Sequence, residues 1–313
     1  MSGTAADTNL ASGPAPFASA EGTTIATRIG RFVVLERIGA GGMGVVYSAY
    51  DPELDRRVAL KLVRPDRWSS RDTRARGRAL AEARAMAKVS HPNVVPVYEI
   101  GGLDEGLYVA MELVQGMSVR AWLERPRPWA ETAQLFVQLA RGLAAVHAAG
   151  LVHRDVKPDN LMVRDDGRPQ LLDFGIARAL DEDAEAPGAA ATITSDHATE
   201  LGKLVGTPSY MSPEQFLGQP ADARSDQWSL CVSLYEALYQ RRPFDASSLV
   251  ELSAAVTGDA LPLPPKDSSV PARVHAVIVR GLEKSPAQRR ISFADLSRDP
   301  EIDDLHRDAI ACV

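Results

Sequence analysis

Leu151-Val-His153-Arg154-Asp155-Val-Lys157-Pro-Asp-Asn160, followed thirteen residues later by Asp173-Phe174-Gly175, is the stretch on which the reading of this 313-residue chain turns. It sets two carboxylates, one amide and one lysine at fixed intervals. A site that holds metal ions on a polyphosphate and accepts a proton beside it needs those groups, because Mg²⁺ takes hard oxygen ligands and keeps the rest of its shell for waters and phosphate oxygens. Each piece alone is weak: an isolated Asp-Phe-Gly is more often a turn. Order and spacing, taken with the segments on either side, carry the signal.

Upstream, Phe32-Val-Val-Leu-Glu-Arg-Ile38 runs into Gly39-Ala40-Gly41-Gly42-Met43-Gly44 and then Val45-Val46-Tyr47. Strand, glycine turn, strand makes a hairpin whose tip lacks side chains, so its backbone N–H groups can approach phosphate oxygens closely. A dinucleotide-binding turn uses the same glycine spacing but must enter a helix. Here β-branched residues follow, then a second apolar strand, Val58-Ala59-Leu60-Lys61, and the Gly-Lys-Ser/Thr of a P-loop is missing. Lys61 alone reads as an edge lysine whose stem reaches outward.

Together, His153-Arg154-Asp155 with Asn160, Asp173-Phe174-Gly175, the glycine hairpin and Lys61 resemble the eukaryotic-type serine/threonine protein kinases, and among them the bacterial members most closely. Gly206-Thr207-Pro208-Ser209-Tyr210-Met211-Ser212-Pro213-Glu214 adds the substrate-side loop, with Ser212 where the family usually carries alanine. The resemblance covers about residues 31–297. It implies an α+β, bilobal protein-kinase fold: a small antiparallel sheet with one main helix in residues 30–113, and a larger, mainly helical lobe in 114–298.

The site roles are implied by that resemblance. Asp155 accepts the proton of the substrate hydroxyl, and Lys157, the serine/threonine-type lysine, neutralises the transferred phosphate. Asn160 and Asp173 hold Mg²⁺, with Mn²⁺ as an alternative. Lys61 holds the α- and β-phosphates of ATP and is oriented by Glu82, the acid beyond the first turn of an alanine-rich helix over 71–89. Ile38, Gly39, Ala40, Gly41, Gly42, Met43, Gly44, Val46 and Ala59 enclose the nucleotide. Met111 stands at the gatekeeper position, and Glu112 to Val114 form the hinge whose backbone meets adenine. Thr207 bonds Asp155 and Lys157, Glu214 pairs with Arg289, and Asp226 accepts hydrogen bonds from the catalytic-loop backbone at the opening of a helix over Gln227–Tyr239. His153 packs beneath the loop without acid–base work. Further helices are expected at Val119–Glu124 and Glu131–Ala149, and strands at Val94–Tyr98 and Leu107–Met111.

The implied function is ATP-dependent phosphorylation of protein Ser/Thr hydroxyls. The alternatives are a pseudokinase-like binding module and a small-molecule kinase of the same fold. Pseudokinases commonly lack the strand lysine, the catalytic Asp or the metal Asp, and all three are present. Arg154 directly before Asp155 implies control by phosphate on the activation segment. The candidate hydroxyls are Thr192, Thr194, Ser195 and Thr199, with Thr199, eight residues before Thr207, favoured.

Composition narrows the class. Residues 1–29 are built from Ala, Ser, Gly, Thr and Pro and read as a disordered leader. Residues 299–313 read as an acidic tail. The net charge of −6 disfavours nucleic acid as a partner. Two cysteines, Cys231 and Cys312, cannot build a disulfide framework and suit a reducing cytoplasm. No apolar run is long enough to span a bilayer. Many bacterial members carry a membrane span and sensor after the kinase domain, so this chain is expected to be either a short cytoplasmic member or a fragment. A homodimer for autophosphorylation is a further expectation.

Overall fold

Six β-strands and their turns build the described part of the first lobe. In the computed structural model, which describes residues 27–41, 44–63, 84–103, 106–173 and 207–289, strands β1 (Arg28–Ile29), β2 (Phe32–Gly41), β3 (Gly44–Asp51), β4 (Arg56–Val63), β5 (Val97–Leu103) and β6 (Gly106–Glu112) form one antiparallel sheet. Its order is β1-β2-β3-β4-β6-β5. Side chains alternate across a strand. In β4, Val58, Leu60 and Leu62 join Phe32 and Tyr108 on the outer face, while Ala59 and Val63 join Val109 and Met111 on the inner face. Because both faces are covered, β4 and β6 read as continuous apolar runs, and Lys61 is carried on the inner face with only 5% of it exposed.

The second lobe starts with β7 (Gly116–Ser118), which pairs with β8 (Leu161–Arg164), which pairs in turn with β9 (Pro169–Leu171). Ser118 caps the short helix α1 (Val119–Trp122) by accepting from the Ala121 N–H. Helix α2 (Trp129–Ala148) buries Leu135, Phe136, Leu139, Leu143 and Val146, spaced three and four apart. It packs against α4 (Ala223–Tyr239), which carries the fully buried Trp228 and Tyr235. Gly142 of α2 faces Asn93, whose carbonyl oxygen would lie 2.7 Å from any Cβ placed there, so the close approach requires glycine. Helices α3 (Pro213–Phe216), α5 (Leu249–Thr257) and α6 (Ala272–Gly281) complete the lobe. None of the helices among the described residues is long and apolar enough to cross a membrane.

Besides shifts of one or two residues at the ends of α1, α2 and β6, three boundaries differ from the sequence reading. Ile29 is in β1 and 2% exposed, so the folded chain begins inside the segment assigned to the leader. The strand expected at Val94–Tyr98 starts at Val97. Pro96 has no N–H to give a ladder, and Val94 and Val95 turn instead to the second lobe. Val94 bridges Leu171 in parallel, Val95 N–H donates to Leu171 O at 3.0 Å, and Leu171 N–H donates to Asn93 O at 2.9 Å. Helix α4 starts at Ala223 rather than Gln227. Asp222 and Ser225 form a capping box there, with Asp222 accepting from Arg224 N–H at 2.7 Å and Ser225 Oγ from Asp222 N–H at 3.2 Å. The helix expected over 71–89 lies outside the described residues except for its end, which is helical at 84–86.

Candidate active site

Between α2 and β8 the chain forms an irregular loop whose shape is set from below by one buried carboxylate. Asp226, 1% exposed, accepts the backbone N–H groups of His153 at 2.7 Å and Arg154 at 2.8 Å, and takes a third contact from His147 Nε2 at 2.8 Å. Arg154 has φ +64°, a left-handed conformation that costs a non-glycine residue on the order of 1–3 kcal/mol and persists only when its surroundings impose it. The two N–H bonds to Asp226 impose it here. His153 braces the loop from its own side. Its Nε2 lies 2.7 Å from Leu172 O, which can only accept, so Nε2 donates and Nδ1 is left to accept the Asp155 N–H at 3.3 Å.

The loop thereby presents Asp155, itself 5% exposed. Lys157 Nζ and Asn160 Nδ2 both donate to its Oδ2, at 2.8 and 2.7 Å, and Asn160 Nδ2 also reaches Asp155 O at 2.8 Å. These bonds fix the amide of Asn160 with its oxygen turned away from Asp155. Leu172 N–H donates to Asn160 O at 2.9 Å, which ties Asp173 to the same loop. Asp173 also has a positive φ, +55°, and its Oδ1 is paired with Lys61 Nζ from the opposite lobe. Lys61, Asp173, Asp155, Lys157 and Asn160 are thus joined from β4 across to β8.

This donor set fits a divalent cation carrying phosphates. Asn160 and Asp173 offer one amide and one carboxylate oxygen, both hard, and no cluster of three or more His, Cys, Asp or Glu exists among the described residues. Two protein ligands with the remainder from phosphate and water suit Mg²⁺ better than a closed protein cage would.

Above the loop, Gly41 and Gly44 face each other across the end of the β2–β3 hairpin. Gly44 has φ +138°, and a Cβ there would lie 1.9 Å from Leu62 O, so this corner excludes every other residue. Gly42 and Met43 lie outside the described residues. Ile38, Gly39 and Ala40 belong to β2, with Ile38 48% exposed. Val46 is registered to Gly39 on one side and Lys61 on the other, and Ala59 is paired with Met111. Met111, Met86, Val95, Val97 and Val109 line a narrow recess together with Lys61 and Asp173. Past Met111, Glu112 N–H is consumed by Pro96 O at 3.0 Å, whereas Val114 bonds no backbone partner among the described residues.

Below the loop, Glu214 is clasped by Arg289 through NH1 to Oε1 and NH2 to Oε2, both 2.6 Å, and receives Ser225 Oγ at 2.7 Å. Burial pushes the Glu214 carboxyl up, but the bonds from Arg289 and Ser225 outweigh it and hold the group below its ordinary value. Thr207 opens a 3₁₀ turn over Thr207–Tyr210; its side chain lies outside the described residues, as do Glu82, Thr192, Thr194, Ser195 and Thr199.

Sequence reasoning missed two groups around this site. Arg164 of β8 donates to Glu112 Oε1 at 2.6 Å and to Gln170 Oε1 at 3.1 Å, strapping the connection between the lobes to the small sheet. Arg120 of α1 donates to Asp159 Oδ2 at 3.1 Å, Glu236 Oε1 at 2.8 Å and Tyr210 OH at 2.5 Å. The only sequence cue for the second was Asp159, an acid inside the loop with no assigned task.

Residues 32–300 match the family described as protein kinase domain. The chain is 37% identical over 274 residues to the serine/threonine-protein kinase PknE of Mycobacterium tuberculosis, covering 87% of this chain and 46% of the relative. It is 36% identical over 277 residues to PknD of the same organism (87% and 40%). To Pkn1 of Myxococcus xanthus it is 35% identical over 288 residues (90% and 39%). The chain spans less than half the length of each of these relatives.

Proposed function

The chain belongs to the protein kinase family, in its bacterial serine/threonine branch, and from that membership we propose that it transfers the γ-phosphoryl group of ATP to Ser/Thr hydroxyls of protein substrates. The observation that carries the reading is the connected set Lys61, Asp173, Asn160, Asp155 and Lys157. Asp155, held by two donors on Oδ2, orients the substrate hydroxyl and accepts its proton. The hydroxyl oxygen of the substrate bonds to the γ-phosphorus in line as the bridging oxygen departs with ADP. Lys157 stands beside Asp155 to offset the charge that develops on the transferred group, and Lys61 holds the α- and β-phosphates. Asn160 and Asp173 would hold Mg²⁺, which when bound neutralises the phosphate oxygens. Val114 meets adenine, while Ala59, Val46 and Ile38 bracket its faces and Met111 closes the back. Positioning and charge neutralisation supply most of the rate.

Replacing Asp155 by Asn or Lys61 by Met is expected to lower transfer of labelled phosphate to a generic protein substrate by a factor of about 10² or more, roughly the contribution of one proton-transfer group, without loss of the folded state by circular dichroism. Transfer at the wild-type rate in either variant would refute the roles of Asp155 and Lys61.

Regulation is part of the proposal. Arg154 lies directly before Asp155, a position from which, in kinases with that arginine, a guanidinium meets phosphate on the segment between Asp173 and Thr207. Thr199 is the favoured acceptor, ahead of Thr192, Thr194 and Ser195, phosphorylated by a second copy of the chain in the cytoplasm. Mass spectrometry after incubation with ATP and Mg²⁺ should find phosphate in this segment, and Thr199→Ala should reduce activity severalfold. Full activity in a variant lacking all four hydroxyls would exclude this switch.

A further inference from the structure

A cavity of about 460 Å³ lies where the lobes meet, and Glu112 is the one residue of the nucleotide and phosphoryl-transfer set that lines it. Its wall comes from both lobes. His91, Val94, Pro96 and Val97 arrive from the first, Arg164, Arg168 and Gln170 from the β8–β9 hairpin of the second, and Glu112 from the end of β6. The volume suits a small organic molecule, for which pockets of about 300–1,000 Å³ are usual.

The polar part of that wall is unequal in charge. Arg164 and Arg168 bring two guanidiniums and Glu112 one carboxylate. Burial, with Arg141 adding to it, holds the His91 ring below its ordinary value, so the ring is neutral at pH 7. Its Nδ1 accepts the Asn93 N–H at 3.1 Å, which leaves Nε2 to carry the proton and donate. Gln170, 3% exposed, is already engaged: its Oε1 accepts from Arg164 at 3.1 Å and its Nε2 donates to Pro92 O at 3.3 Å. Arg164 is likewise held by Glu112 at 2.6 Å. Arg168 differs. Its side chain is 48% exposed, and its acid is Asp166, 3.3 Å from NH2, which is 49% exposed, lies outside the cavity lining and also faces Arg164 Nε at 3.7 Å. An exposed pair of this kind contributes little, so an anion inside the cavity can take its place.

We infer that this cavity binds a small carboxylate with an apolar body, the carboxylate on Arg168 and the body against Val89, Val94, Pro96 and Val97. A single negative charge suits it better than a phosphate dianion, which would set two charges beside Glu112. Occupancy is coupled to the cleft. Val94 bridges Leu171, and Glu112 N–H donates to Pro96 O at 3.0 Å, so the wall is made of residues through which one lobe meets the other. A change in the angle between the lobes alters the cavity, and a ligand that fits one shape better shifts the balance toward it. The coupling rests on the kinase reading, whereas the site does not.

The test is fluorine NMR titration of the full chain with para-trifluoromethylbenzoate, against the uncharged para-trifluoromethylbenzamide of the same shape. The benzoate should bind saturably and about tenfold or more tighter than the benzamide, the size of one charge-assisted hydrogen bond, a comparison that needs no variant to fold. Arg168→Gln should remove that advantage. Ser90→Trp, which adds bulk at an exposed lining residue, should abolish binding of both compounds. Equal affinity for the two compounds, or unchanged affinity in either variant, would overturn the site. Calorimetry of ADP with Mg²⁺, with and without saturating benzoate, tests the coupling. The nucleotide affinity should change at least twofold, and the benzoate affinity by the same factor when ADP is bound first; a smaller change would overturn the coupling. A chain that binds no ADP would refute the kinase reading and the coupling with it, while the benzoate titrations still decide the site.

Discussion

Glu214 with Arg289, and Asp159 and Glu236 with Arg120, are both arginine–carboxylate clusters of the second lobe, yet they are built to opposite ends. Arg289 is fully buried at its side chain and spends all five donors: two on Glu214, and one each on the carbonyls of Glu283, Arg224 and Lys284. Arg120 keeps more than a third of its side chain in solvent and serves two acids and a phenol that belong to three different segments. The first cluster cannot lose a member without stranding a charge in low dielectric. The second can exchange partners with solvent, because water is at hand to replace whatever leaves. Saturation and burial mark an ion pair as framework, whereas partial exposure leaves it free to rearrange.

Deletion tests the contrast most directly. Glu214→Ala leaves the Arg289 guanidinium buried without its acid and should destabilise the fold by about 3–5 kcal/mol, read as a fall in the urea midpoint. A loss below about 1 kcal/mol would show that Glu214 and Arg289 are no more structural than the Arg120 cluster. Replacing both members by apolar residues of similar volume should restore much of the loss, since neither charge is then stranded.

Acid titration probes the same contrast with a smaller effect. The Glu214 carboxyl is held below its ordinary value of 4.5, so the unfolded chain binds the proton first. The stabilisation is complete above about pH 4.5 and is lost as pH falls through the lower, folded value. Unfolding free energy measured on descending pH should drop less steeply in Arg289→Met than in the wild type. An equal slope would remove Glu214 from the acid response.

Arg120→Gln should change stability least, by about 1 kcal/mol or less, with a difference that shrinks as salt is added. A salt-insensitive loss of several kcal/mol would place Arg120 with the framework and undo the distinction.

The first lobe was largely legible because its signals are local. The continuous apolar runs of β4 and β6 and the paired glycines at Gly41 and Gly44 mark strands and corner without knowledge of the rest of the chain. Asp155, Lys157 and Asn160 stand close in sequence, so their meeting on one loop was legible for the same reason, whereas their roles, and that of Asp173, were implied by the family resemblance. Val94 and Val95 misled because β-branched residues suit either lobe, and only the missing N–H of Pro96 hints at which ladder takes them. The start of α4 was missed because Asp222 and Ser225 form a cap with serine where glutamate is the stronger cue. Arg120 was beyond reach: its partners Asp159, Tyr210 and Glu236 are brought to it by folding alone, and an arginine on a short helix looks like any solvated cation.

The hydrogen bonds joining Val95, Leu171 and Asn93 set how the cleft can open. They continue a backbone ladder from one lobe into the other, next to the point where Glu112 meets Pro96, and so act as an axle. Val58 pairs with Glu112 near that axle, while Val63 pairs with Gly44 at the far end. The strand between them makes a lever arm of about 17 Å. A swing of about ten degrees would carry the glycine corner about 3 Å, the scale of one hydrogen bond, and leave the axle end almost still. If the cleft holds ATP as proposed, closing it would bring backbone N–H groups toward the phosphates at one end while the axle end stays almost still.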